Sequence, residues 1–353
     1  MLPAKTFVWL SVLVLLFVFT SFAFVAPAQS QHPPISTPTP PRDEQEIDPD
    51  DVISVSTTEV LLPVTVRDLS GRLVTDLTRK DFRVFENGVE QSLSELSLRQ
   101  VPVDVVLMID ASSSAANNLE DFRLAAEGFA AHLDADDRTS LIQFDDRVAL
   151  LQDWTRSQVQ LRRALKRIVP GMFTRFHDAV LLASRDQLAR PMARHAVIVL
   201  TDGIDSGRGS TFDTALRAAL KSQTAVYVVS NTQIERSAKQ EQISLLLSAT
   251  DAVRRFNQRR IDDLRLGLAA LDASEQNLEV LTASTGGRLY KPASFRDLEK
   301  IYAEVADELR HQYALYYAPL NANKDGQFRR VRVETSNPTH QVTARIGYFA
   351  GKR

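Results

Sequence analysis

Val103-Asp-Val-Val-Leu-Met-Ile109, followed at once by Asp110-Ala-Ser112-Ser-Ser114, decides how this chain folds. The run is almost wholly apolar and stops abruptly at an acid. A strand buried on both faces of a parallel sheet reads this way, because neither face meets water and no polar alternation survives. Similar runs recur at Ser140–Phe144, Ala196–Leu200 and Ala225–Val229. Helical stretches alternate with them at Leu119–Leu133, Gln158–Ile168, Asp178–Leu188 and Thr211–Lys221, and Arg147–Leu151 reads as a short antiparallel edge strand. Strand–helix alternation predicts an α/β fold, a doubly wound and mostly parallel sheet with helices on both faces.

Outward from this centre the rhythm changes twice. Ile234–Leu271 is long, charged and helical in composition, with Leu245, Leu246, Ala249, Val253 and Phe256 at spacings near three and four. It reads as an inserted helix or helical hairpin capping the core. The α/β pattern resumes at Glu275–Ala283, Gly286–Tyr290 and the helix Phe295–Arg310. The segments 52–98 and 312–349 read instead as strands: Val60–Val66, Phe82–Phe85 before the hairpin signal Asn87-Gly88, then Tyr313–Ala318, Phe328–Glu334 and Gln341–Tyr348. An isolated pair of strands is marginal in water. The two segments are therefore expected to pair in one sheet, a small flanking β domain around an α/β domain spanning 101–311.

The N-terminus stands apart. Phe7–Val25 is uncharged and strongly apolar after Lys5, and Ala26-Pro27-Ala28 offers small residues where a signal peptidase reads. Residues 1–28 are expected to be a signal peptide, or an anchor if uncleaved, since 19 apolar residues just span a bilayer. Residues 29–51 form a Pro-rich, then acidic, linker. Either way the chain is expected to be exported: periplasmic, secreted or at the cell surface. It contains no cysteine, so disulfides are excluded. Lys and Arg number 42 against 44 Asp and Glu, with no clustered basic excess to suggest nucleic acid. Membrane contact is expected only through the N-terminal segment.

Ligands of open α/β sheets bind at the carboxyl ends of strands, where strand order reverses. Asp110, Ser112 and Ser114 sit at one such end, and Thr201-Asp202-Gly203 follows the Ala196–Leu200 strand in the same relative position. With Thr174, the set is two carboxylates and three hydroxyls, all hard oxygen. Such a set suits Mg²⁺ first and Mn²⁺ or Ca²⁺ as alternatives, with water completing the shell. Two carboxylates at most neutralise the dication, leaving it receptive to an acidic residue from a protein partner.

This pattern resembles the von Willebrand factor A domain and its metal-ion-dependent adhesion site. Asp81-Phe-Arg-Val-Phe-Glu-Asn-Gly88, Thr285-Gly-Gly-Arg288, Leu309-Arg-His-Gln-Tyr313 and Arg345-Ile-Gly-Tyr348 look like the bacterial branch of that family, over about Val52 to Phe349. The resemblance implies metal-dependent protein binding and no catalysis. One departure stands out. The family loop reads Gly-Gly-Thr then Asp-Ala, and here it is Gly171-Met-Phe-Thr174-Arg-Phe-His-Asp178-Ala.

Asp205 reads as a loop acid or a group behind the metal ligands. His177 and His195 have no Cys or His neighbour at metal spacing. Asn321-Ala-Asn-Lys-Asp-Gly326 mimics half a calcium loop, but Arg332 stands where Glu is required, so it reads as a hairpin turn. A Mg²⁺-dependent hydrolase is the alternative from another class. Aspartyl phosphatases need a second acid two residues on, where Ser112 stands, and there is neither a Gly-x-Ser-x-Gly elbow nor a phosphate loop. A structural subunit with a non-functional metal site is the third reading.

Overall fold

The computed structural model describes residues 59–97, 102–113, 118–188, 194–207 and 209–351. The N-terminal segment and linker, and Ser114, lie outside them. Six strands form the central sheet in the order β10 (Leu289–Tyr290), β9 (Ala225–Ser230), β8 (Arg194–Thr201), β5 (Val103–Asp110), β6 (Arg138–Phe144), β7 (Val148–Thr155). All neighbours run parallel except β7, which pairs antiparallel with β6 at the edge. The doubly wound sheet expected from the sequence is present.

Alternation explains why β5 looks continuously apolar. Val105, Leu107 and Ile109 join one core with α1 (Leu119–Ala131), α2 (Gln158–Leu165) and α8 (Leu298–Arg310). Val106 and Met108 join a second core on the other face, under α3 (Phe176–Leu182), α4 (Phe212–Lys221) and α7 (Gln258–Thr285). Each such side chain, fully buried, stabilises by roughly 1.5–3 kcal/mol.

The N- and C-terminal β segments do pair with each other, but in two sheets where the sequence suggests one. The first has the order β13 (Gln341–Thr343), β1 (Val60–Arg67), β11 (Tyr313–Tyr317), β4 (Leu93–Ser97). The second is β14 (Gly347–Phe349), β12 (Phe328–Thr335), β2 (Phe82–Glu86), β3 (Val89–Gln91). Asn87 and Gly88 both have positive φ, which makes the β2–β3 connection the tight hairpin expected. Leu62, Val64, Val84, Tyr313 and Val331 share the core between the sheets. One sheet would leave these residues half exposed; a second closes over them.

The segment Asn321–Gly326 is not a hairpin turn, because β11 and β12 belong to different sheets. It bridges the sheets, and Arg329 fills it, donating to the Asn321 carbonyl at 2.6 Å and the Asn323 carbonyl at 2.7 Å. Buried Glu86 in turn accepts from Arg329, from the Tyr317 hydroxyl at 3.0 Å and from the Tyr348 hydroxyl at 2.8 Å.

The inserted segment also differs from expectation. α5 (Thr232–Ser248) ends where Ala249 turns extended, and α6 (Asp251–Phe256) follows, so the apolar stripe is divided between two helices. Leu245, Val253 and Phe256 are exposed. α7 then runs unbroken for 28 residues, about 42 Å, from the insertion into the crossover helix on the sheet. Gly286 ends it at φ +79°, and a Cβ on Gly287 would lie 2.0 Å from the Val226 carbonyl oxygen. The pair Gly286-Gly287 thus reflects a left-handed cap followed by the close approach of β10 to β9.

Candidate metal centre

Strand order reverses between β5 and β8: the chain leaves β5 toward β6 and β7, then returns to the other side at β8. Register pairs Ile109 with Leu200, so Asp110 and Asp202 emerge side by side at this switch point. Burial and the neighbouring Asp202 charge push the Asp110 carboxyl up to about 7. Its Oδ1 accepts the Ser112 N–H at 2.9 Å and its Oδ2 accepts the Thr201 hydroxyl at 2.6 Å. These bonds orient the carboxylate without neutralising it. Asp202 is fixed by its own turn, accepting the Ile204 N–H at 3.0 Å, while Ser274 of α7 donates to its carbonyl at 2.5 Å.

Three loops converge here. Gly171 N–H donates to the Ala111 carbonyl at 2.7 Å, and the Ser113 hydroxyl to the Met172 carbonyl at 3.1 Å. Thr174 is buried; its N–H donates to the Ser206 hydroxyl at 2.9 Å, and its carbonyl accepts the N–H groups of Ser206 at 3.1 Å and Gly207 at 3.0 Å. The Thr174 loop is therefore stitched to the Asp110 loop on one side and the Asp202 loop on the other. Ser112 is buried beside Asp110. Ser114 lies outside the described residues.

The departure at Phe173 has a visible compensation. Phe173 and Met172 turn outward, and their N–H groups donate to the two oxygens of Asp146 at 3.0 and 3.1 Å. Gly171 remains indispensable, since a Cβ there would meet the Asp145 side chain at 2.6 Å. Asp205 holds the loop from below. It accepts the His177 N–H at 2.9 Å and the Gly207 N–H at 3.0 Å, and its Oδ2 lies 3.2 Å from His177 Nδ1. His177 packs between Phe176 and Phe212, and His195 is buried at the start of β8 with Nδ1 3.1 Å from the Ser222 carbonyl.

Sequence reasoning quoted Thr201 in its motif without giving it a role, and passed over Ser206, Asp146 and Ser274. Asp145-Asp146 ends β6 as Asp110 ends β5, so position alone could have drawn attention to it. Ser274, 72 residues from the carbonyl it anchors, carries no such signal. Among the described residues, no group of three or more His, Cys, Asp or Glu side chains could hold a metal ion. The candidate centre rests on two carboxylates and hydroxyls. These fit a hard divalent cation: two buried carboxylates lie side by side, the Asp202 charge raises the Asp110 pKa, and every donor is oxygen.

The sequence model of the von Willebrand factor type A domain matches residues 105–204, the stretch that holds these loops. Among solved structures, the chain is similar to the conserved hypothetical protein BatB from Bacteroides thetaiotaomicron, with 25% identity over 36% of this chain and 66% of that one, at a TM-score of 0.33. It is similar to proximal thread matrix protein 1 from the mussel byssus with a zinc-occupied MIDAS motif: 16% identity, 64% and 49% covered, TM-score 0.44. A von Willebrand factor type A protein from Catenulispora acidiphila shares 11% identity, with 78% and 64% covered and a TM-score of 0.45. The chain spans less than two thirds of the length of each of these three. No curated protein matches it. The family match falls on the strands whose ends carry the paired carboxylates, and the chain accordingly carries a von Willebrand factor type A domain.

Proposed function

We propose that this protein is a metal-dependent protein-binding module. Asp110, Ser112, Ser114, Thr174 and Asp202 hold one divalent cation, Mg²⁺ for preference, directly or through water, and Asp205 braces the loop behind Thr174. Bound there, the cation supplies a positive centre that an acidic side chain of a partner completes. The observation that carries this reading is the pair of buried carboxylates at adjacent strand ends, Asp110 oriented by the Ser112 N–H and the Thr201 hydroxyl and Asp202 by the Ile204 N–H. The protein's own residues have three tasks: fix the two carboxylates, hold the Thr174 loop against both neighbours, and leave one side of the centre to the partner.

The apolar segment Phe7–Val25 supports export, with the module presented outside the cytoplasm. No helix among the described residues is long and apolar enough to cross a membrane. The test is a pulldown from cell envelope with Mg²⁺, comparing wild type with Asp110→Ala. A partner retained only by wild type, and released by EDTA, is expected. A partner retained equally by both, or in EDTA, would remove metal bridging from the account.

A further inference from the structure

The outer face of the second β sheet carries an unassigned surface of a different chemistry. Phe328, Arg330 and Arg332 point outward from β12, and Phe85 outward from β2, around a groove of about 620 Å³ that Asn87 and Gly88 complete. Phe349 of β14 packs edge-on against Phe328 at 5.1 Å, and its ring lies 5.6 Å from the Lys221 ammonium at the end of α4. Lys221 also lines a second groove, of about 320 Å³, with Arg185 and Arg217. Phe349 thus contacts one lining residue of each groove, Phe328 and Lys221, and marks a track between them across the junction of the α/β domain and the β sandwich.

Three features point to an anionic occupant. No acid lines either groove. Glu334 pairs with Arg332, but Arg330, Arg185, Arg217 and Lys221 have no ion-pair partner among the described residues. Like charges held together without counter-charge attract a polyanion. Ser184, in a π-helical turn that continues α3 over Ala183–Gln187, lines the second groove, and its buried hydroxyl has no hydrogen-bond partner. Such turns recur at functional sites, and a ligand oxygen would satisfy that hydroxyl.

The ring geometry selects among polyanions. A single-stranded nucleic acid needs open aromatic faces for its bases. Here Phe85 is covered by Arg332 at 4.3 Å and Arg83 at 5.1 Å, while Phe328 and Phe349 pack on each other. An acidic peptide binds sheets by adding a strand at an edge; this track crosses the face of the sheet over β2 and β12, its two interior strands, each with a strand on either side. What remains on offer is guanidinium forks and apolar ring edges. They suit a chain with regularly spaced carboxylates or sulfates and C–H-rich sugar rings. We propose that this track binds a linear acidic glycan.

The test measures binding of a labelled oligogalacturonate and a heparin oligosaccharide to the full chain by fluorescence anisotropy. Neutral dextran, oligoglutamate of matched charge and a DNA oligonucleotide serve as comparisons. Saturable binding of at least one acidic glycan is expected, with none of dextran. The stronger of the two glycans identifies carboxylate or sulfate as the recognised group. Arg330→Ala and Lys221→Ala, both exposed, should each weaken it about tenfold, while EDTA and Asp110→Ala leave it unchanged. Oligoglutamate or DNA binding as tightly as the better glycan would overturn the glycan assignment. No binding by either glycan, or variants that bind like wild type, would overturn the track itself.

Discussion

Asp110 occupies an uncomfortable position in the metal-free chain. Its carboxyl is buried, faces Asp202, and has its pKa pushed up to about 7. Between the ordinary carboxylate range and that value, the folded chain holds a proton that the unfolded chain has released. Stability contributed by this group is thus complete below about pH 4 and is lost as pH rises through about 7. A divalent cation reverses the sign, because it binds the ionised pair. Melting in EDTA should fall as pH rises from about 4 to about 7, and the increment added by Mg²⁺ should grow over the same interval. Asp110→Asn should melt higher than wild type in EDTA and gain nothing from Mg²⁺; a variant that melts lower in EDTA would contradict the burden assigned to this carboxylate. At Phe173, by contrast, the side chain is outside the site and its N–H does the work. Asp146→Ala should therefore weaken cation binding more than Phe173→Ala does, as titration calorimetry on both would show.

At the scale of elements, the strands and the helices packed on them were legible because their apolar residues meet two cores in strict alternation. Asp110 and Asp202 were legible for the same reason: each is the first polar residue after such a run. The insertion was not. Leu245, Val253 and Phe256 keep helical spacing across a break at Ala249, and spacing carries no record of an interruption that costs no residue. Nor does composition show that α7 continues past Leu271 onto the sheet, since both halves use the same helix-favouring residues. The Gly286-Gly287 corner is different, because geometry forces it. Gly286→Ala places a Cβ 2.6 Å from the Arg345 backbone nitrogen at positive φ. It should cost about 1–3 kcal/mol, read from urea unfolding, whereas Gly128→Ala, half-buried in α1 with nothing within 4 Å of an added Cβ, should cost nothing.

On the whole-molecule scale, the last helix ties the α/β domain to the sandwich. Glu308 of α8 is buried, accepting from Arg67 at 2.6 Å and Thr65 at 3.2 Å in β1, Tyr227 at 3.2 Å in β9 and Tyr290 at 3.4 Å in β10. Gln312 closes the network by donating to the Tyr227 hydroxyl at 2.9 Å. No sequence pattern announces a buried Glu on an amphipathic helix, nor a buried Arg329 in a strand, since both residue types read as surface. Glu308→Ala leaves Arg67 and two tyrosine hydroxyls without their acceptor, so it should cost about 2–4 kcal/mol. Urea unfolding would measure this, with an effect under 1 kcal/mol speaking against the junction. The binding reading depends on none of this if the cation is not held. Its most direct test is titration calorimetry of the metal-free protein with Mg²⁺ and Mn²⁺, for wild type and Asp202→Ala. The account predicts one saturable site in wild type and none in the variant; no binding heat from either cation in wild type, or equal binding in both proteins, would contradict it.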